Sequence, residues 1–185
     1  MMIGVGNVGS SLLDYDLGNT YLTRDGGVTW KEIRLGAHMY EFGDRGAILV
    51  IVNDEDPTDH VRYSWDEGAT WTTYVFSPVK MRVRWLTTEP DSTSMLFLLY
   101  GEIVTTATTE YRTVQIDFSG LHEAKCGPSD FETWVPVGEG EDCLMGSSVT
   151  YRRRKQNSSC FIDETDFNQI VSQVNCPCTK FDYEW

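Results

Sequence analysis

Cations are scarce in this sequence. Lys and Arg number 15 against 28 Asp and Glu, a formal net charge of −13. Such a field repels phosphate backbones and anionic lipid surfaces, which argues against nucleic acid as a partner. Long apolar runs are missing too. The longest, residues 47–52 and 95–100, fall well short of the roughly 20 residues that a helix needs to cross a bilayer, so no helical membrane segment is expected. The opening Met1-Met2-Ile3-Gly4-Val5-Gly6-Asn7-Val8-Gly9 has neither a basic leader nor a long apolar stretch and does not read as a secretory signal. Histidine is limited to His38, His60 and His122. They are scattered, with no repeated partner pattern, and are expected at the surface or in turns rather than as catalysts or metal ligands.

Cysteine is absent from the first two thirds of the chain, and no convincing amphipathic helix occurs there. What fills that region is a series of short β-type runs, at residues 47–53, 61–64, 70–76, 81–87, 95–100 and 112–118, punctuated by turn residues. With 41% hydrophobic and 12% aromatic residues, the chain has enough apolar surface for an ordinary core.

One pattern repeats. Thr23-Arg24-Asp25-Gly26-Gly27-Val28-Thr29-Trp30 returns as Ser64-Trp65-Asp66-Glu67-Gly68-Ala69-Thr70-Trp71, offset by 41 residues. That period suits one four-stranded blade of a β-propeller. Both copies fit Ser/Thr-x-Asp-x-Gly-x-Thr-Trp, the pattern of the Asp box. The carboxylates of Asp25 and Asp66 suit backbone N–H groups that a hairpin otherwise leaves open. Gly27 and Gly68 supply positive φ, and Trp30 and Trp71 each bring a large apolar face to pack beneath the turn or against a neighbouring blade.

The same box occurs in sialidases and other glycoside hydrolases, so catalysis by the two Asp residues has to be weighed. Glycoside cleavage needs paired carboxylates, or a tyrosine nucleophile with partners, facing one pocket, and turn Asp residues are far commoner than catalytic ones. The structural role is favoured for Thr23, Asp25, Gly27, Thr29, Trp30 and for Ser64, Asp66, Gly68, Thr70, Trp71. No enzyme activity, cofactor or metal is expected. The cluster Asp54, Glu55, Asp56 and Asp59 matches no calcium loop and reads as solvated.

From about residue 121 the texture changes. A boundary is placed near Ser119-Gly120, giving units 1–119 and 120–185. The second unit holds all five cysteines, Cys126, Cys143, Cys160, Cys176 and Cys178, an acidic loop at 138–142 and a basic run, Arg152-Arg153-Arg154-Lys155. The run is expected as a charged strand or sheet edge, with contact to acidic cargo or a processing site as alternatives. A short helix is expected over 164–174, where Phe167, Ile170, Val171 and Val174 recur at helical spacing behind Asp163 or Thr165. A dense cysteine cluster in a loop-rich stretch reads as disulfides formed in an oxidising compartment, and the odd count leaves at least one thiol without a partner in the chain. Cys176-Pro177-Cys178 lacks the spacer of a redox pair and a zinc-type partner set. Asn157-Ser158-Ser159 is an N-glycosylation sequon, so Asn157 is a candidate acceptor.

Further stretches accompany the boxes: Val5-Gly6-Asn7-Val8-Gly9, His38-Met39-Tyr40-Glu41-Phe42-Gly43-Asp44-Arg45-Gly46 and Thr88-Glu89-Pro90. Then come Asp130-Phe131-Glu132-Thr133-Trp134, Cys143-Leu144-Met145-Gly146, Tyr151-Arg152-Arg153-Arg154-Lys155 and Cys176-Pro177-Cys178. In this order, over essentially the whole chain, they resemble the sortilin-type vacuolar sorting receptors, particularly the fungal ones. The resemblance implies an all-β fold: the last two to three blades of a propeller followed by the first half of a ten-cysteine, disulfide-rich module. It implies a lumenal fragment of a type I membrane receptor of the Golgi and endosomes that binds soluble cargo, the vacuolar hydrolase precursors, mainly through earlier blades.

Carried onto matching positions, the resemblance suggests Cys126 bonded to Cys160 and Cys143 to Cys176, with Cys178 paired to a cysteine outside these residues. Loops of about 33 to 35 residues closed in this way contribute on the order of 3 to 4 kcal/mol each in the chain-entropy model. The family pattern expects a cysteine where Trp185 stands, a departure that makes a truncated product, or a gene-model error at a splice junction, an expectation. The remaining alternatives are a fragment of an Asp-box glycoside hydrolase and a piece with no independent function.

Overall fold

The structure, a computed structural model, describes residues 1–136, 143, 146–162 and 169–177. Three expectations fall partly or wholly elsewhere: the acidic loop at 138–142, residues 164–168 of the expected helix, and Cys178 lie outside the described residues.

The fold is all-β, a partial propeller followed by a disulfide-rich module. Its described strands form four antiparallel sheets. The first contains β1 (Met2–Gly6), β2 (Asn19–Thr23) and β3 (Lys31–Arg34). The second orders β4 (His38–Gly43), β5 (Ile48–Asn53), β6 (His60–Ser64) and β7 (Thr72–Val75) as a four-stranded meander. The third holds β8 (Arg82–Thr87), β9 (Leu96–Val104) and β10 (Thr109–Asp117). The last, in the cysteine module, holds β11 (Phe131–Trp134), β12 (Ser147–Arg154) and β13 (Ile170–Asn175). The two Asp-box turns follow β2 and β6, so they occupy equivalent places in successive sheets. Among the described residues no helix is long and apolar enough to cross a membrane.

β5 shows why these sheets stack face to face. Its sequence, Ile48-Leu49-Val50-Ile51-Val52, is apolar at every position, and every one of these side chains is buried. Because successive side chains of a strand point to opposite faces, a continuous apolar run requires cover on both. Leu49 and Ile51 face the first sheet, packing with Ile3 and Leu22. Ile48, Val50 and Val52 share a core with Val83, Leu86, Phe97 and Leu99 of the third. The approach to the third sheet is close. A Cβ on Gly43 would stand 2.5 Å from the Ser94 carbonyl and 2.6 Å from the Phe97 ring.

Register fixes which loops gather at which end of the second sheet. His38 pairs with Asn53, Gly43 with Ile48 and Leu49 with Ser64. The 34–38 and 53–60 connections therefore lie at one end. The 43–48 turn and the second Asp box lie at the other.

One expectation is corrected. Ile170–Asn175 is a strand, paired with β12 and exposed throughout, where a helix was expected. Ile170, Val171 and Val174 are β-branched, which disfavours the helix and suits a strand, and here a partner strand was available. The basic run is a charged strand, one of the two forms expected: Arg152, Arg153 and Arg154 end β12, the central strand of its sheet.

The third sheet leaves one face uncovered. Trp85, Leu96, Leu98, Tyr100, Tyr111 and Val104 are all exposed, with Trp85 at 64% and Tyr100 stacked on Tyr111. A contiguous apolar face of this kind drives association. Expressed by itself, the chain is expected to self-associate and to elute from a size-exclusion column well ahead of a 21.1 kDa monomer. Elution as a monomer at tens of micromolar would contradict this reading.

Candidate functional site

The two Asp boxes are built alike. In the first, the Thr23 hydroxyl donates to Asp25 at 2.7 Å and accepts the Gly27 N–H at 2.9 Å, while Asp25 accepts the Thr29 N–H at 2.9 Å. In the second, Ser64 donates to Asp66 at 2.7 Å and accepts the Gly68 N–H at 2.8 Å, and Asp66 accepts the Thr70 N–H at 2.8 Å. The Thr29 and Thr70 hydroxyls also donate to these carboxylates.

Donors from Thr29 first, then Thr23, hold the Asp25 carboxyl well below the usual carboxylate range. Burial works to raise Asp66, yet bonds from Thr70 and Ser64 keep it lowered as well. Each carboxylate is committed to its own turn as an ionised acceptor. Gly68, at φ 82°, has no room for a side chain, since a Cβ there would meet the Leu22 side chain at 2.3 Å. Trp71 is half-buried against the first two sheets, whereas Trp30 remains 47% exposed and donates its indole N–H to the Gly27 carbonyl at 3.1 Å.

The boxes are also tied to each other. Arg24, the variable residue before Asp25, forms an ion pair with Glu67, the variable residue after Asp66, its Nε reaching the carboxylate at 2.9 Å. Glu67 has φ 56° and is buried. The first copy has Gly26 at that place, also with positive φ.

At this end of the blades the cysteine module docks, through residues the sequence did not single out for the purpose. Arg154, at 3% exposure, is the centre. Its Nη1 donates to the Ser158 and Cys160 carbonyls at 2.8 and 3.0 Å, within its own module. Its Nη2 donates across the joint to the Ala47 carbonyl at 3.2 Å and to that of Trp65. Gln156 donates to the Asp66 carbonyl at 3.1 Å, and both carboxylate oxygens of Asp44 accept the Ile162 N–H at 2.8 and 3.0 Å. Cys126 and Cys160 are bonded to each other, as are Cys143 and Cys176. The first bond fixes the 158–162 segment that surrounds Arg154, together with the Cys126 N–H donating to the Phe161 carbonyl.

A cavity of about 480 Å³ opens beside the joint. Its cations are engaged: Arg24 with Glu67, and Arg153 with Glu132 at 2.8 Å and over the Trp134 ring, while Arg152 lies over Phe131. Asn157 is exposed in the turn that follows β12.

One histidine departs from expectation. His38 is buried, its Nδ1 within 3.1 Å of the Thr20 hydroxyl and 3.0 Å of the Gly36 carbonyl. Neither polarity nor pattern in the sequence marks it as interior; the blade-to-blade contact does. His122 packs edge-on against Trp65, and burial, then Arg154, lowers its pKa. His60 is half-buried beside Asp59, at 2.8 Å. The acidic cluster is dispersed, with Asp54 accepting the Tyr15 hydroxyl at 2.7 Å and Glu55 3.9 Å from Arg82.

Comparison with known proteins places this geometry. The family model described as "Sortilin, neurotensin receptor 3" matches residues 1–86, and its C-terminal counterpart matches residues 88–185. The chain belongs to the sortilin family. Among curated relatives it is 46% identical to a vacuolar protein sorting/targeting protein 10 of Laccaria bicolor and, over its whole length, 46% identical to that of Uncinocarpus reesii. A relative of the same name from Lodderomyces elongisporus is 42% identical over 99% of the chain. The chain spans 12 to 13% of the length of these relatives.

Two tests of the joint follow for this sortilin-family chain. Arg154→Ala leaves the carbonyls of Ala47, Trp65, Ser158 and Cys160 without their donor, at a cost of about 3 kcal/mol or more, measurable by denaturant unfolding with the disulfides intact. Asp44 gives a pH signature, because burial pushes its pKa up to about 7 against the bonds from Ile162 and the charge of Arg154. A raised pKa means that the folded state favours the protonated form. The contribution is full below the ordinary Asp value of about 4 and is lost as pH rises towards 7. The stability of the natural chain relative to Asp44→Asn should therefore fall by on the order of 2 kcal/mol between pH 5 and 8. His122 titrates with the opposite sign in both proteins and cancels in the difference. A constant difference across that range would refute the assignment.

Proposed function

We propose that this chain is a lumenal part of a sorting receptor that binds soluble vacuolar hydrolase precursors and carries them from the Golgi to the endosome and vacuole. The observation that carries the reading is 46% identity over the whole chain to relatives named for vacuolar protein sorting and targeting. The work is non-covalent: Asp25 and Asp66 are saturated within separate turns, which supports a stapling role over glycoside cleavage. Residues 1–119 form the propeller part and 120–185 belong to the cysteine module. Asn157 carries a glycan in the lumen, and Cys178 pairs with a cysteine outside these residues.

The test replaces the matching segment of a fungal relative's receptor with this chain, in a strain lacking the native receptor. The chimera should keep hydrolase precursors inside the cell, and its Arg154→Ala version should secrete them. Secretion by the unmutated chimera, when the relative's own receptor restores sorting, would overturn the proposal. Turnover of fluorogenic glycosides by the purified chain would favour the hydrolase instead.

A further inference from the structure

Opposite the docked end of the second sheet lies a smaller cleft, about 290 Å³, between the 34–38 and 53–60 connections. Arg34, Arg62 and Lys80 line it, with Asp56 the carboxylate among its lining residues. This surplus of positive charge is unusual ground in a chain of net charge −13. Arg62, on β6, is half-buried, and its Nε–H is buried without an acceptor among the described residues. Burial, and then the charge of Arg34, lowers its pKa, so the two guanidinium groups repel each other across the cleft. Both also act on the buried His38.

The nearby acids are engaged elsewhere: Asp54 with Tyr15, Asp59 with His60, and Glu55 towards Arg82. Lys80 acts on Asp59 but forms no ion pair among the described residues, and neither does Arg34. A half-buried cation facing a like charge is expensive unless an anion sits between them, and a guanidinium fork is matched to a planar carboxylate.

We propose that the cleft bounded by Arg34, Arg62 and Lys80 binds a side-chain carboxylate of an acidic peptide. Apolar walls decide for a peptide over a bare oxyanion. Leu35, 73% exposed, and Pro57, also exposed, flank the opening. A glutamate or aspartate covers these walls with its methylenes and backbone while its carboxylate meets the guanidinium groups; inorganic phosphate leaves them wet. The assignment goes beyond the sorting-receptor reading and stands without it, since the cleft holds its ligand whether or not the receptor carries vacuolar cargo.

The test immobilises the full chain on a biosensor surface and passes over it a peptide of alternating glutamate and serine, at low ionic strength where exposed charges are little screened. The same peptide with glutamine for glutamate serves as control. The acidic peptide should bind and the glutamine peptide should not. Arg62→Gln and Arg34→Gln should each weaken binding about tenfold or more, whereas Arg153→Gln, in the other cavity, should change it much less. If Arg62→Gln melts early, Arg34→Gln, at the rim, decides. Equal binding of both peptides, unchanged binding in Arg34→Gln, loss only in Arg153→Gln, or displacement by inorganic phosphate at the concentration at which the peptide itself binds would each overturn the proposal.

Discussion

One buried guanidinium holds the two parts of this molecule in register. Arg154 spends its terminal nitrogens on four carbonyls, two from its own module and two from the second blade. A charge so enclosed is costly unless its donors are met; the Nε–H has no acceptor among the described residues, so the four bonds to the terminal nitrogens carry the compensation, and the position that makes them is also the position that docks the module. The bond between Cys126 and Cys160 matters for the same reason. It restrains the segment that supplies the Ser158 and Cys160 carbonyls, which lowers the entropy lost when they converge on one side chain. In the chain's acidic field, Asp44, Asp66, Glu67 and Asp130 also favour the charged form of Arg154 against its burial.

The second sheet divides its labour between its ends. At the docked end the acids are partnered: the Asp-box carboxylates have their hydroxyls and amides, Glu67 has Arg24, and Asp44 has Ile162. At the opposite end, Arg34 and Arg62 repel each other in the cleft, and the Arg62 Nε–H has no acceptor among the described residues. Between the ends lies β5, buried on both faces, which ties them into one rigid body. Structural chemistry and ligand capacity therefore occupy different surfaces of the same blade.

Much of the fold was legible because its causes are local. The all-β class follows from short runs such as 47–53 and 95–100, whose alternation or continuous apolarity survives in β5 and β9. The helix expected over 164–174 shows the limit, since Ile170, Val171 and Val174, three of the apolar residues spaced for a helix, are β-branched and find a strand partner in β12. The joint was illegible for a different reason. Arg154 and Ala47 are 107 positions apart, and an arginine inside a basic run looks like a solvated charge until the carbonyls that bind it are known. The burial of His38 is illegible for the same reason, because it depends on Thr20 of the neighbouring sheet. The Arg24–Glu67 pair occupies the variable positions of the two boxes, the places where a motif carries no information.

Backbone strain ties these observations together. Among the described residues, the non-glycine residues with positive φ are Asp44, Arg45, Glu67 and Ser92, and all four sit at the docked end. Each costs on the order of 1 kcal/mol or more and persists only where the surroundings over-determine it. Here the surroundings are the third sheet: the Asp44 and Arg45 N–H groups donate to the Ser94 and Ser92 carbonyls at 3.2 and 2.7 Å, and Gly43 is pressed against Phe97. That contact forces the 44–45 turn into its left-handed shape, and the turn in turn aims the Asp44 carboxylate at Ile162. The docking surface for the cysteine module is thus not a property of the second blade alone. It is assembled by blade-to-blade packing, so a module that has docked reports that the two sheets beneath it have already closed on each other.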